Sequence, residues 1–183
     1  NNQAKCLKAM LKIVEVLSAK NDTENTIWGV GVALPGPFDA KELSFVGPTT
    51  FDAWHDLSIL DELHNACGLH VFYSVDSVAG ALGESLFGTA KHLDCFFYLH
   101  FGIGLGGTLV TEHVAYKGAN GNATEVGHIP IVPGGKPCYC GNHGCLERYL
   151  SLLALKEDLA ALGIEVETKA QLNQLVASQH GAV

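Results

Sequence analysis

The sequence predicts an α/β fold, on three observations. Short runs rich in β-branched and aromatic residues, at 27–34, 70–73 and 96–101, alternate with segments whose apolar residues recur every three to four positions, at 4–20, 58–67 and 76–86. A glycine-rich segment, GIGLGG at 102–107, joins the last of these strands to a further β-branched run. Residues 125–147 then hold His128 and three of the six cysteines in a stretch too rich in glycine and proline for regular structure, ahead of two closing helical segments.

The first helix is read over 4–20, where Leu7, Met10, Leu11, Val14 and Leu17 form one apolar stripe with lysines on the outer face, and Asn21-Asp22 ends it. Residues 27–34 are apolar at both alternating positions, the pattern of a strand buried on two faces, and run into the turn Pro35-Gly36-Pro37. A helix over 58–67 and a strand over 70–73 follow. In 76–86 small and apolar residues share a helical face, and only Gly83 weakens the pattern. Residues 96–101 read as a second buried strand. The glycines after it do not open a helix, because Thr108-Leu109-Val110-Thr111 continues as strand. That excludes a dinucleotide-binding fingerprint and leaves a glycine-rich hairpin. Such a tip either converges backbone N–H groups on a phosphate or is simply a tight turn, and spacing leaves both open. A long helix over 146–162, closed by Gly163, and a helix over 169–178 behind the cap Thr168 complete the elements.

Composition excludes several classes of function. Of 183 residues, 48% are hydrophobic and 16% charged, which is the balance of a globular domain and not of a disordered chain. Eleven basic residues against 19 acidic ones give a formal charge of −8, with no Lys/Arg run, so these residues carry no electrostatic footprint for nucleic acid. No apolar run approaches the roughly 20 residues that cross a bilayer, and the first residues lack a secretory pattern. A cytoplasmic location follows, with no membrane partner. Cys6, Cys67 and Cys95 fall in apolar helix or strand segments and are read as packing residues, which suits a reducing compartment.

Cys138, Cys140 and Cys145 offer three soft thiolates and His128 a borderline nitrogen, the four-coordinate set that Zn²⁺ prefers, with Gly141 and Gly144 relaxing the backbone around it. A disulfide is the competing reading. It fits less well, since neighbours in Cys-x-Cys rarely pair and three cysteines leave one thiol over. His143 lies in the same loop, but four ligands already close the shell of a structural site.

Two motifs in this region, Glu125-Val126-Gly127-His128 and Cys138 through Glu147 (CYCGNHGCLE), resemble the Glu-x-Gly-His and Cys-x-Cys-Gly-x-x-Gly-Cys-x-Glu motifs of the ROK family of sugar kinases and sugar-responsive repressors. The likeness extends from about residue 27 to 151. It implies the actin-like ATPase (ribonuclease H-like) fold, with two lobes flanking a sugar cleft and a structural zinc loop. By that comparison residues 1–76 are the remainder of the first lobe and 77–183 the second, with the zinc loop at 125–147. The fold is expected to be incomplete in this chain, because the family's opening Asp-x-Gly-x-Thr phosphate motif and its closing helices do not occur in it.

The resemblance also implies roles. Asp76 would be the general base that takes a proton from the sugar hydroxyl attacking ATP. A plain helix N-cap is the alternative. Glu125, His128 and Glu147 would bond sugar hydroxyls, as Asp76 also would, while Gly36 lets the backbone approach closely. His128 would serve twice, one ring nitrogen on zinc and the other toward the sugar. For Glu125 and Glu147, surface solvation or helix-start charge is the alternative. Gly102, Gly104, Gly106 and Gly107 would surround the nucleotide phosphates if ATP and Mg²⁺ bind. Trp54 could stack on a sugar face, although a core position fits it better.

The chain departs from the kinase pattern in two places. Kinases of the family carry Glu-Asn-Asp where this chain has Ser74-Val75-Asp76, and Val75 cannot hydrogen-bond a sugar. They carry Gly-Thr-Gly where it has Gly102-Ile103-Gly104, and Thr108 replaces a further glycine. Repressors of the family are altered in the same two places. The resemblance therefore implies the sugar-sensing domain of a transcriptional regulator that binds a monosaccharide or amino sugar, a hexose or N-acetylhexosamine. It would be a homodimer or tetramer, contacting DNA only through a helix-turn-helix domain that these residues do not include. A sugar kinase using Asp76 is the alternative, and a zinc-stabilised structural module the third reading.

Overall fold

The structure is a computed structural model and describes residues 3–20, 26–39, 44–45, 58–119 and 123–180. Trp54 lies outside them, as does the expected helix end at Asn21-Asp22. The chain divides into two compact units, Asn1–His100 with Gly107–Glu125, and Phe101–Gly106 with Val126–Val183. Asp76 lies inside the first unit.

The first unit is built on a parallel strand pair, β1 (Val30–Leu34) and β4 (Val71–Val75), in register from Val30 opposite Val71 to Leu34 opposite Val75. Parallel neighbours need a crossover, and α2 (Ser58–Cys67) lies within it. The helix α1 (Gln3–Ser18) presents Cys6, Leu7, Met10, Leu11 and Val14 as its half-buried stripe, while Leu17 is exposed. A two-residue antiparallel pair, β2 (Phe38–Asp39) and β3 (Ser44–Phe45), closes the core. Leu34, Phe38, Ile59 and Leu60 form its buried centre, with Cys6, Leu7, Val32, Phe45, Val71 and Val75 packed against it. Cys6 is thus a packing residue, as expected.

The next helix, α3 (Asp76–Leu86), begins with no connecting residue after β4. Asp76 is its first residue and Val75 its N-cap, with extended φ −62° and ψ 141°. Val75 still belongs to the ladder opposite Leu34, so the strand holds it extended and moves the cap one residue earlier than Asp76. The buried face of α3 is Ser77, Ala81 and Ser85, small residues four apart that permit close packing.

A three-stranded sheet follows in the order β5 (Cys95–Phe101), β6 (Leu105–Thr111) and β7 (Val114–Ala115). The sequence reads residues 96–101, within the first of these, as a buried strand. Among the described residues it is instead the outer strand of this sheet and alternates in exposure, with Phe96, Tyr98 and His100 half-buried and Cys95, Phe97, Leu99 and Phe101 exposed. Cys95 is consequently a surface thiol and not a packing residue. The short β7 was not legible because its turn, Glu112-His113, adopts positive φ (52° and 61°) without the glycine or asparagine that marks such turns. His113 there lies 3.4 Å from both Ser85 Oγ and Asp94 Oδ1.

In the second unit the expected long helix over 146–162 is two elements. A 3-10 turn, Leu146–Arg148, is followed by Ser151 with φ −144° and ψ 165°, which caps α4 (Leu152–Ala161) by accepting the Ala154 N–H at 3.0 Å. Serine in this role competes with continuing the helix. Gly163 (φ 76°) does end it, in a Schellman arrangement in which Gly163 N donates to Ala160 O and Ile164 N to Leu159 O. Thr168 caps α5 (Lys169–His180) as expected: Gln171 N donates to Thr168 Oγ1 at 3.2 Å, and Gln171 Oε1 accepts from Thr168 N at 2.9 Å. Among the described residues no helix is long and apolar enough to cross a membrane.

Candidate functional site

The second unit holds the cysteine-rich loop. A 3-10 turn, Val126–His128, presents the imidazole. The chain then returns on itself through isolated bridges pairing Pro130 with Cys145 and Pro137 with His143. Gly144 (φ 77°) makes the return possible, since a Cβ there would run into the Val132 carbonyl. Between the bridges Cys138 N donates to Asn142 O at 2.8 Å, and Gly141 N to Cys138 O at 3.0 Å, folding the two halves of the cysteine motif together. Ion pairs of Arg148 with Glu157 (2.7 Å) and of Lys136 with Asp158 hold the loop to α4.

The result is a cluster of His128, Cys138, Cys140 and Cys145 whose ligand atoms all lie within 4.8 Å of one another. A tetrahedral zinc with bonds of about 2.3 Å to sulfur and 2.05 Å to nitrogen has S···S edges of about 3.8 Å and S···N edges of about 3.6 Å. Cys140 Sγ and Cys145 Sγ are 3.7 Å apart, and Cys138 Sγ lies 3.6 Å from His128 Nδ1. The donor set therefore fits such an ion, with Nδ1 as the ligand nitrogen. His143 is not among the clustered residues, and all six cysteines are free thiols.

The other ring nitrogen, His128 Nε2, lies 3.3 Å from Tyr139 Oη, and the two rings meet edge to face at 5.2 Å between centroids. Tyr139, the variable residue of Cys-x-Cys, is a partner that sequence reasoning missed, since no spacing rule assigns a role to that position. Without a metal, burial pushes the Cys145 thiol up to about 12, reinforced by hydrogen bonds with Cys140 and Cys138. Burial also raises Cys138. For Cys140, burial is outweighed by hydrogen bonds from the Asn142 backbone and the neighbouring thiols, and its value falls. A bound dication reverses this by holding all three as thiolates.

Glu147 is buried at 8% exposure beside this cluster in sequence, on the 3-10 turn that follows Cys145. Its Oε2 accepts the Leu105 N–H at 2.7 Å, across 42 residues of chain. Gly104 makes this possible, because a Cβ at 104 would collide with that same carboxylate oxygen. The rest of the hairpin tip is similarly engaged: Gly102 N donates to Gly104 O at 2.9 Å, and Gly102 O and Ile103 O accept from Leu152 N and Leu153 N at the start of α4. Gly106 lies within β6, as does Gly107 of the first unit, and neither is at the tip. Ile103 projects from the tip with 72% exposure.

In the first unit Asp76 is half-buried, and its Oδ1 accepts the Ser77 N–H at 2.7 Å. An anionic side chain in the first helical turn is favoured by the helix dipole. His100 Nε2 stands 3.8 Å from Asp76 Oδ2. Gly36 sits in the turn between two prolines, and a Cβ added there would lie 3.0 Å from Val75 Cγ1, so the nearest neighbour of its open face is the Val75 side chain. Thr108, fully buried, donates to Ser77 Oγ at 3.2 Å, a tie to α3 that a glycine could not make. Glu125 is exposed in the stretch ahead of the 3-10 turn.

Comparison with known proteins agrees with this architecture. The sequence matches the ROK family over residues 2–183. It is 34% identical to the xylose repressor of Bacillus subtilis over 132 residues, covering 72% of this chain and 34% of that protein. It is also 34% identical to the glucokinase of Thermotoga maritima over 148 residues, covering 81% of this chain and 46% of that protein. The chain thus spans less than half the length of these curated relatives. A ROK family glucokinase from Streptomyces griseus, solved with glucose and AMPPNP, aligns with a TM-score of 0.73 at 30% identity, covering 87% of this chain and 51% of that one. The fold is α/β, of the actin-like ATPase type, with a Cys₃His cluster compatible with zinc. Regulators and kinases are both represented among its relatives, and the chain belongs to the ROK family.

Proposed function

We propose that this chain is the sugar-sensing part of a ROK-family transcriptional regulator, binding a hexose or N-acetylhexosamine through Asp76, Glu125, His128 and Glu147, with Gly36 permitting close backbone approach. A sugar stands in the names of relatives of both kinds, the xylose repressor and the glucokinase. The cluster of His128, Cys138, Cys140 and Cys145 is proposed to hold zinc, because three thiolates and one imidazole suit that ion best among common metals. When bound, the ion supplies a fixed loop geometry, and the protein's own residues do the recognition. With one oxygen of Glu147 committed to Leu105 N–H, the carboxylate is held in one orientation and the second oxygen is left to accept a hydroxyl proton. Such a regulator would act in the cytoplasm as a homo-oligomer, reaching DNA through a separate helix-turn-helix domain.

The observation that carries regulator over kinase is Ile103, a hydrocarbon side chain 72% exposed at the tip where the family's kinases present a hydroxyl to phosphate. Val75 adds to it, with its methyl groups packed against Gly36 in place of a polar group. The half-buried Asp76 at the head of α3 favours the second reading, an ATP- and Mg²⁺-dependent sugar kinase with this carboxylate as general base. A coupled ATP-consumption assay on the intact protein separates the two. Hexose phosphorylation should be absent or very slow, and Val75→Asn with Ile103→Thr should raise it, each contact contributing a factor on the order of 10²–10³. Robust wild-type turnover that Asp76→Ala abolishes would establish the kinase instead.

A further inference from the structure

Asp76 and His100 meet because two periodicities coincide. Tyr98 and His100 lie on the half-buried row of β5, and on α3 Gly80 leaves room for the Tyr98 ring: a Cβ at 80 would stand 2.7 Å from Tyr98 Oη. From Gly80 back to Asp76 the helix advances about 6 Å. From Tyr98 to His100 the strand advances about 6.7 Å. The rises nearly match, so packing Tyr98 on Gly80 brings His100 to Asp76.

The 3.8 Å between His100 Nε2 and Asp76 Oδ2 is too long for a hydrogen bond between them. It suits a shared third group. A hydroxyl oxygen about 2.8 Å from each atom would sit about 2 Å off the line joining them. Both side chains are open to solvent, at 38% and 36% exposure, so a ligand can reach the gap. A sugar hydroxyl is donor and acceptor at once, whereas a carboxylate alone only accepts; an imidazole N–H supplies the missing donor. Val75, the residue before Asp76, has no polar atom to do so.

We propose that His100 is a specificity-determining residue that, with Asp76, reads one hydroxyl of the bound sugar, taking over the polar role that position 75 does not fill. The inference rests on the sugar-binding reading above. Calorimetry on the intact protein with glucose, xylose and their single-deoxy analogues tests both. Wild type should bind a parent sugar and lose about ten- to a hundredfold in affinity when one particular hydroxyl is removed, the scale of a hydrogen bond to a charged or polar site group. His100→Leu should bind the parent sugar more weakly by a similar factor and no longer discriminate that deoxy analogue. His100→Gln, which keeps an N–H donor, should retain most of the discrimination. If His100→Leu fails to fold, His100→Glu, polar but without a donor at neutral pH, should lose the discrimination in its place. Full discrimination in His100→Leu or His100→Glu overturns the inference and leaves sugar binding intact. No binding of any sugar by wild type overturns the sugar-binding reading itself.

Discussion

Replacing Gly104 with alanine isolates the contact between the hairpin tip and Glu147. The new methyl group would collide with Glu147 Oε2, the oxygen that accepts the Leu105 N–H at 2.7 Å. Glu147 is 8% exposed, so the carboxylate has little room to retreat into water. Gly104 does not adopt the left-handed conformation, so the backbone itself tolerates alanine and the effect is steric. Losing a hydrogen bond to a charged group costs about 1.5–3 kcal/mol. Narrowing the unfolded ensemble by Gly→Ala returns about 0.4–1 kcal/mol. The net destabilisation is then about 0.5–2.5 kcal/mol, with Tm falling about 2–4 °C for each kcal/mol. Urea and thermal denaturation of wild type, Gly104→Ala, Glu147→Ala and the double variant form the assay. Glu147→Ala removes both the clash and the bond, so in that background Gly104→Ala should be neutral or slightly stabilising. Equal destabilisation by Gly104→Ala in both backgrounds would refute the coupling.

The metal cluster makes two further predictions. Protein purified without chelator should carry one zinc per chain, and Cys140→Ser should lose it; zinc-free wild type, or a disulfide among the three cysteines, would contradict this. Chelated protein should lose stability as pH rises from about 9 toward about 12. Cys145 binds its proton more tightly folded (about 12) than at its ordinary value of 9.0, so its contribution is complete below 9 and disappears through that window, whereas metal-held thiolates add no such slope; thermal melts of the chelated and zinc-loaded forms show the difference, and parallel profiles would refute it.

The sequence by itself determined whatever depends on near neighbours. The helix over Ser58–Cys67 and the start of α3 at Asp76 follow from apolar spacing, and the Thr168 and Gly163 signals mark a helix start and a helix end as expected. Cys138, Cys140 and Cys145 lie within eight residues and His128 only ten before them, so motif chemistry alone could name the ligand set that the fold gathers. Only the tertiary structure decided the rest, because the deciding partner lies far along the chain. Whether β5 is central or at an edge depends on which strands flank it, and its apolar residues read the same either way. The break at Ser151 depends on α4 donating its first N–H groups to Gly102 and Ile103, about fifty positions earlier. The glycine at 104, to which the family resemblance gives a phosphate role if ATP binds, makes room for Glu147, and His100 gains meaning only once Tyr98 packs on Gly80. Periodicity records which face of an element is apolar, but it does not record what that face will meet.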